Sequence, residues 1–164
     1  MATATYTPIA TTTSSGSGNI TFSSIPNTYT DLVLIIANQT LSSAGDAVRM
    51  QYNGDTGSNY SNTNLTGNGS SAISYRESNV SSIRVSGIAV GVSTSTPATT
   101  IIQIQNYSNT TTYKTDISRF SDAGTEVGAV VGLWRSTAAI NSITLSSAYM
   151  TSGVVYSLYG IKAA

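Results

Sequence analysis

The chain lacks the side chains on which most enzymes rely. It contains no histidine and no cysteine, and it has seven basic and seven acidic residues in 164. General acid–base catalysis depends most often on histidine, and a serine nucleophile needs a base beside it. The absence of cysteine excludes disulfides and thiolate metal sites. We therefore predict that the protein is not an enzyme and requires neither a cofactor nor a metal ion.

Charge and long apolar runs are also scarce. Charged residues make up 9% of the chain, against about 25% in a typical soluble domain, and the net charge is zero. There is no basic stripe of the kind that binds nucleic acid. The longest apolar run, residues 32–37, has six residues, whereas a membrane-spanning helix needs about 20. We therefore expect neither a nucleic-acid partner nor a membrane partner.

What the chain does contain is a two-residue alternation of apolar and polar residues. Ile143 and Leu145 alternate with serine and threonine, and Ile102 and Ile104 alternate with glutamine. This period predicts strands with one solvated face. We predict ten or eleven strands, near residues 4–9, 18–25, 30–38, 46–53, 71–76, 81–93, 99–107, 113–121, 127–135, 141–147 and 153–162.

Short connections rich in glycine, proline and asparagine separate these strands. The pattern predicts an all-β fold, an antiparallel β-sandwich, and the number of strands favours a jelly roll. Residues 31–36 and 153–161 are apolar on both faces and predict central strands. Residues 54–71 predict a long polar loop. Residues 1–17 predict an extended N-terminal arm that orders only against a neighbour, and residues 18–164 a single β-sandwich domain.

The apolar positions of the predicted strands give an expected core. One tryptophan follows an apolar strand and is expected to be at least partly buried with it. The residues expected to be buried are Leu32, Leu34, Ile36, Trp134, Ile143, Leu145, Val155 and Leu158.

Candidate interface or surface-loop residues fall in the predicted loops and near strand ends. Exposed tyrosines stack on sugars and also fill protein interfaces. The oxygen-rich segment 53–59 could bind Ca²⁺, but it has one carboxylate, so a turn closed by its own side chains is the simpler interpretation. The carboxylates of Asp116 with Asp122, and of Asp46 with Asp55, are the possible catalytic pairs. The candidate interface residues are Asn53, Asp55, Asn59, Tyr60, Tyr75, Tyr107 and Tyr113.

Several blocks of the sequence carry a family resemblance over nearly its whole length. They are residues 6–10 (YTPIA), 22–26 (FSSIP), 29–34 (YTDLVL), 53–60 (NGDTGSNY), 132–134 (GLW), 140–145 (INSITL) and 156–161 (YSLYGI). In these blocks the chain resembles short virion proteins of tailed phages, especially phages of cyanobacteria and other aquatic bacteria. Such proteins are tail-fibre or structural proteins, and related ones resemble capsid cement proteins. The resemblance implies a virion component and supplies no catalytic residue.

Resemblance and composition together indicate a structural role. We expect a capsid decoration or cement protein that stabilises the head shell, forms a homotrimer and contacts the major capsid protein or another virion protein. The alternative is a receptor-binding tail-fibre or baseplate module that contacts host surface polysaccharide. A free carbohydrate-binding module or hydrolase is a third hypothesis. Residues 1–13 contain no lysine or arginine and do not form a Sec-type signal, so we expect assembly of the virion in the host cytoplasm.

Overall fold

The structure is a computed structural model that describes residues 5–43, 46–86 and 94–162. These residues form twelve β-strands and no α-helix, and therefore no helix that could cross a membrane. The strands are β1 (Tyr6–Ser15), β2 (Ile20–Phe22), β3 (Asp31–Gln39), β4 (Arg49–Tyr52), β5 (Tyr60–Gly67), β6 (Ala72–Val80), β7 (Ile83–Arg84), β8 (Ala98–Ile104), β9 (Lys114–Asp122), β10 (Glu126–Trp134), β11 (Ile143–Ser146) and β12 (Ser152–Ile161).

The strands form two antiparallel sheets with the topology of a jelly roll. The larger sheet has the order β1-β12-β3-β8-β9-β10-β5-β6, and the smaller has the order β2-β11-β4-β7. Four pairs are nested along the chain, because β4 pairs with β7, β3 with β8, β2 with β11 and β1 with β12. Nested pairs of this kind form when a long antiparallel hairpin folds over into two sheets. This is the jelly-roll arrangement. The predicted all-β antiparallel sandwich is therefore confirmed, with twelve strands in the described residues instead of the ten or eleven expected.

Two inserted hairpins enlarge the larger sheet. The hairpin β5–β6 lies in the chain between β4 and β7, and the hairpin β9–β10 lies between β8 and β11. They extend the sheet from β8 outwards, through β9, β10 and β5 to the edge strand β6. The smaller sheet has only four strands, and its strand β7 contacts both β5 and β10. One face of the extension is therefore turned towards β7, and the opposite face is turned away from the smaller sheet.

The main core lies between the two sheets. Leu32, Leu34 and Ile36 of β3 are fully buried, as are Ile143 and Leu145 of β11. Leu158 and Trp134 are also buried as expected. The expectation for Val155 is wrong, because this residue is half-buried and its neighbour Val154 is fully buried instead. Strand β12 is apolar on both faces, so the pattern alone could not tell which of the two valines points into the core.

The hydrogen-bonded pairing of the strands confirms the two predicted central strands. Strand β3 lies between β12 and β8, and β12 lies between β1 and β3. Both are hydrogen-bonded along both edges and have apolar residues on both faces. This placement explains why residues 31–36 and 153–161 read as continuous apolar runs.

Three sequence-based predictions are corrected by the strands. The segment 54–71 is not one loop, because residues 60–67 form β5. The prediction of a separate arm is wrong for Tyr6–Ser15, which form β1 and pair with β12 of the same chain. Within the predicted strand 81–93, only Ile83–Arg84 are a strand, and residues 87–93 lie outside the described ranges. Residues 1–4 of the predicted arm also lie outside them.

Candidate functional site

The turn after β4, with the first residue of β5, contains four of the seven candidate residues, and its own side chains help to hold it closed. Asn53 and Gly54 both have positive φ angles, 53° and 68°, and the Asp55 amide donates to the Tyr52 carbonyl at 2.9 Å. Two positive φ angles in succession define the type I′ turn, for which Asn-Gly is the preferred pair. The Asn53 side chain donates to the Ala139 carbonyl at 2.8 Å and accepts from the Asn141 amide at 2.9 Å. Asn53 therefore fastens this turn to the segment before β11.

The Asp55 carboxylate accepts hydrogen bonds from the same turn and from Trp134 of β10. Its Oδ2 accepts a hydrogen bond from Trp134 Nε1 at 2.7 Å, and its Oδ1 accepts from the Gly57 amide at 2.8 Å. The exposed Asn59 side chain also donates to both oxygens, at 3.2 and 2.9 Å. Desolvation acts to raise the pKa of Asp55, but these donors favour the charged form and lower the pKa overall. The arrangement is a structural brace in which both carboxylate oxygens already accept hydrogen bonds.

Tyr60 lies beneath this brace and is not a surface residue. It is fully buried, and its hydroxyl accepts from the Tyr52 amide and donates to the Asp55 carbonyl, both at 3.0 Å. Its ring stacks on Trp134 with a centroid distance of 6.3 Å, and Tyr52 lies 5.5 Å from the same indole. The proposal of Tyr60 as an interface residue is therefore corrected, because these three aromatic rings form part of the core.

The other three candidate tyrosines do not come together. Tyr107 is fully buried, and its hydroxyl donates to the Pro26 carbonyl. Tyr75 is half-buried and packs against Phe120 and Val130. Only Tyr113 is well exposed, at 56% of its surface. The seven candidates thus divide into one braced turn and three separate positions, and only Asn59 and Tyr113 remain exposed.

A buried row of polar residues crosses the extension on the side that faces β7. Asp116 of β9, Gly132 of β10 and Asn62 of β5 are direct neighbours in register. The Tyr52 hydroxyl donates to Asp116 Oδ2 at 2.8 Å. Within the described residues, Asp116 Oδ1 and Asn62 Nδ2 have no hydrogen-bond partner. Glycine is needed between them, because a Cβ at position 132 would lie 2.6 Å from both carboxylate oxygens of Asp116.

Burial controls the protonation of Asp116 and of its hydrogen-bond partner Tyr52. Desolvation raises the pKa of Asp116 to about 7, although the hydrogen bond from Tyr52 opposes this rise. Desolvation, reinforced by the neighbouring Asp116, raises the pKa of Tyr52 well above its ordinary value. Tyr52 therefore remains a neutral donor, and Asp116 exchanges its proton near neutral pH.

The possible catalytic carboxylate pairs do not meet. Asp116 and Asp122 lie six residues apart on β9, which is about 20 Å along a strand and too far for them to share a proton or flank one bond. Asp46 accepts from Ser147 at 2.8 Å, whereas Asp55 accepts from Trp134. No group of three or more acidic, histidine or cysteine side chains that could hold a metal ion occurs among the described residues.

The candidate functional surface is instead the side of the extension that faces away from β7. Leu65, Val127 and Val131 are exposed there by 60%, 61% and 53% of their surface. Leu65 lies directly opposite Ala129, and Val127 and Val131 lie on either side of Ala129 in β10. We call this surface the outer face, and it comprises Ile101, Ile117, Arg119, Val127, Ala129, Val131, Thr63, Leu65, Ala72, Ser74 and Arg76.

The outer face contains a shallow apolar groove of about 680 Å³. Its lining includes the apolar residues Leu65, Val127 and Ile101 and the small residues Ala72 and Ala129. Isolated exposed apolar residues are common on proteins, but a contiguous exposed patch marks an interaction surface. The geometry is therefore suited to binding a complementary apolar surface.

Sequence reasoning missed this surface because of β5. Asn62 and Asn64 point into the buried side of the sheet, and Leu65 points outwards, which is the reverse of the usual pattern. A signal was present in β10, where Val127, Ala129, Val131 and Leu133 alternate with Val130 and Trp134. A strand with apolar residues on both faces needs a partner for each face.

Comparison with models of known protein families finds no match, and comparison with curated proteins finds no significant one.

Proposed function

We propose that the protein is a structural component of a bacteriophage virion, and specifically a decoration protein that stabilises the head shell. The observation that carries the proposal is a jelly-roll domain with a contiguous apolar patch exposed on its enlarged sheet. Jelly rolls with two sheets are frequent in viral capsid proteins, and exposed apolar patches are interaction sites. The resemblance of the sequence blocks to phage virion proteins agrees with this combination.

The proposed mode of action is mechanical. A protein that binds the assembled shell adds contacts that must break before the shell can open. A protein that binds only the assembled shell stabilises the assembled shell. The stabilisation is about 2.7 kcal/mol per site when the concentration of free protein is 100 times Kd. The protein would act as a homotrimer bound to the major capsid protein of the virion, assembled in the host cytoplasm.

Stoichiometry in purified particles tests this function. A decoration protein is expected in a copy number comparable with that of the major capsid protein, measured from band intensities on a stained gel. A receptor-binding tail or baseplate module that contacts host polysaccharide would be present at a small fraction of that number. The low copy number would reject the decoration proposal in favour of the tail module.

A further inference from the structure

The outer face carries positive charge without any compensating acid. Arg76 and Arg119 are both exposed, and neither has a hydrogen bond or an ion pair within the described residues. No aspartate or glutamate belongs to the outer face, although the chain as a whole has zero net charge. From the register, three strand-to-strand steps separate the two arginines, or about 15 Å. The apolar residues Leu65 and Val131 lie between them.

The acidic side chains of the protein are all engaged elsewhere. Three of the seven are buried and four are half-buried, and the residues outside the described ranges contain none. Each accepts a hydrogen bond or forms an ion pair within its own chain. The contacts are Asp31 with Asn106, Asp46 with Ser147, Asp55 with Trp134, Glu77 with Arg84, Asp116 with Tyr52, Asp122 with Gly124 and Glu126 with Thr66.

A second copy of the chain is therefore a poor occupant of the outer face. Two outer faces packed together would place uncompensated arginines on both sides of one interface, and like charges disfavour association. Any other surface of a second copy would offer only acidic side chains that are buried or half-buried and already paired within their own chain. The complementary charge is therefore expected from a different molecule.

From these observations we propose that the outer face binds another protein, at a surface where apolar side chains are flanked by carboxylates about 15 Å apart. Arginine pairs with carboxylates in a bidentate geometry and is enriched at protein interfaces. Two arginines around an apolar centre do not form the basic track that nucleic acid requires. No aromatic side chain belongs to the outer face, so it offers no stacking platform for sugars. The inference rests on the proposed function, under which this partner is a shell protein.

Charge reversal on the outer face tests the proposal. The double variant Arg76→Glu, Arg119→Glu is added back to particles from which the wild-type protein has been removed, and bound protein is measured by co-sedimentation. We expect its binding to be weaker than wild type by about tenfold or more, because attraction is replaced by repulsion. The control is Thr111→Glu, which places an acidic charge in an exposed turn outside the outer face and is expected to bind like wild type. Thermal unfolding of each variant verifies that it is folded.

Two results would overturn the proposal. One is binding of the double variant with wild-type affinity. The other is a lower mass of the double variant in light scattering than that of the wild-type protein, which would make the outer face a contact between copies. Binding of the wild-type protein to tails rather than shells would refute the decoration function alone. The binding of the double variant would then be compared with that of the wild type on tails, so the proposal for the outer face would still be tested. A wild-type protein that binds no part of the particle would refute both.

Discussion

At the scale of single residues, the buried Asp116 is the most unusual group in the molecule. It is a carboxyl group in the interior with one hydroxyl donor, Tyr52, and a glycine beside it that leaves room for its oxygens. Its pKa is raised to about 7 by desolvation, compared with about 3.9 for a free aspartate. Below pH 4 both the folded and the unfolded chain carry the proton. Between pH 4 and 7 the folded chain retains a proton that the unfolded chain loses.

The raised pKa predicts that the free energy of unfolding falls as pH rises from 4 to 7. The loss is on the order of 4 kcal/mol, because each pKa unit corresponds to about 1.4 kcal/mol. The Asp116→Asn variant retains an acceptor for Tyr52 and removes the titration, so its stability should be flatter across this range. Urea unfolding at several pH values measures the slope.

Asp55→Asn is the control for this prediction. The pKa of Asp55 is lowered, so its stabilising contribution is present above the unfolded pKa and disappears as pH falls. The variant should be less stable than wild type at neutral pH and keep the decline between pH 4 and 7. An identical slope in wild type and Asp116→Asn would show that Asp116 does not titrate in this range.

At the scale of elements, the sequence predicted those strands whose apolar residues face the core. Strand β3 contains a continuous apolar run, and β8 and β11 contain apolar residues that alternate with polar ones. Turn residues bound these strands, so their positions could be predicted from local pattern. Strand β5 could not, because its inward residues Asn62 and Asn64 are polar and only pairing with β10 makes it a strand. The same long-range pairing creates the outer face. Candidate residues chosen from loops therefore identified a structural brace instead of the outer face.

Strand β3 provides the test of the core. Leu34 is fully buried between β12 and β8, and truncation of a buried leucine costs about 2–5 kcal/mol. We expect Leu34→Ala to lower the free energy of unfolding by that amount. Val131→Ala, on the exposed outer face, should change it by less than about 0.5 kcal/mol. Equal effects of the two substitutions in urea unfolding would contradict the assignment of the two faces.

At the scale of the whole molecule, the edges of the larger sheet bear on assembly. Its first edge strand, β1, has ten residues and no charged side chain, although a proline lies near its start. Proteins usually guard such edges with lysine or cover them. We expect the homotrimer to cover this edge, while the outer face remains available to the different protein partner.

Light scattering tests this assembly. The wild-type protein at micromolar concentration should have three times the subunit mass of 17.0 kDa. Thr11→Lys with Thr13→Lys places charge on two exposed positions of β1 and should lower the mass, whereas Thr111→Lys in a turn should not. A wild-type monomer, or a mass unchanged by the β1 variant, would contradict a trimer formed at this edge.

Stabilisation of a virion shell by this protein can be measured with particles that lack it. Such particles are compared with complete particles for the temperature at which DNA is released and for adsorption to host cells. We expect these particles to assemble and adsorb normally but to release DNA at a lower temperature, because the contacts that bind only the assembled shell are missing. Particles that resist heat as well as complete ones and no longer adsorb would contradict this expectation and assign the protein to receptor binding.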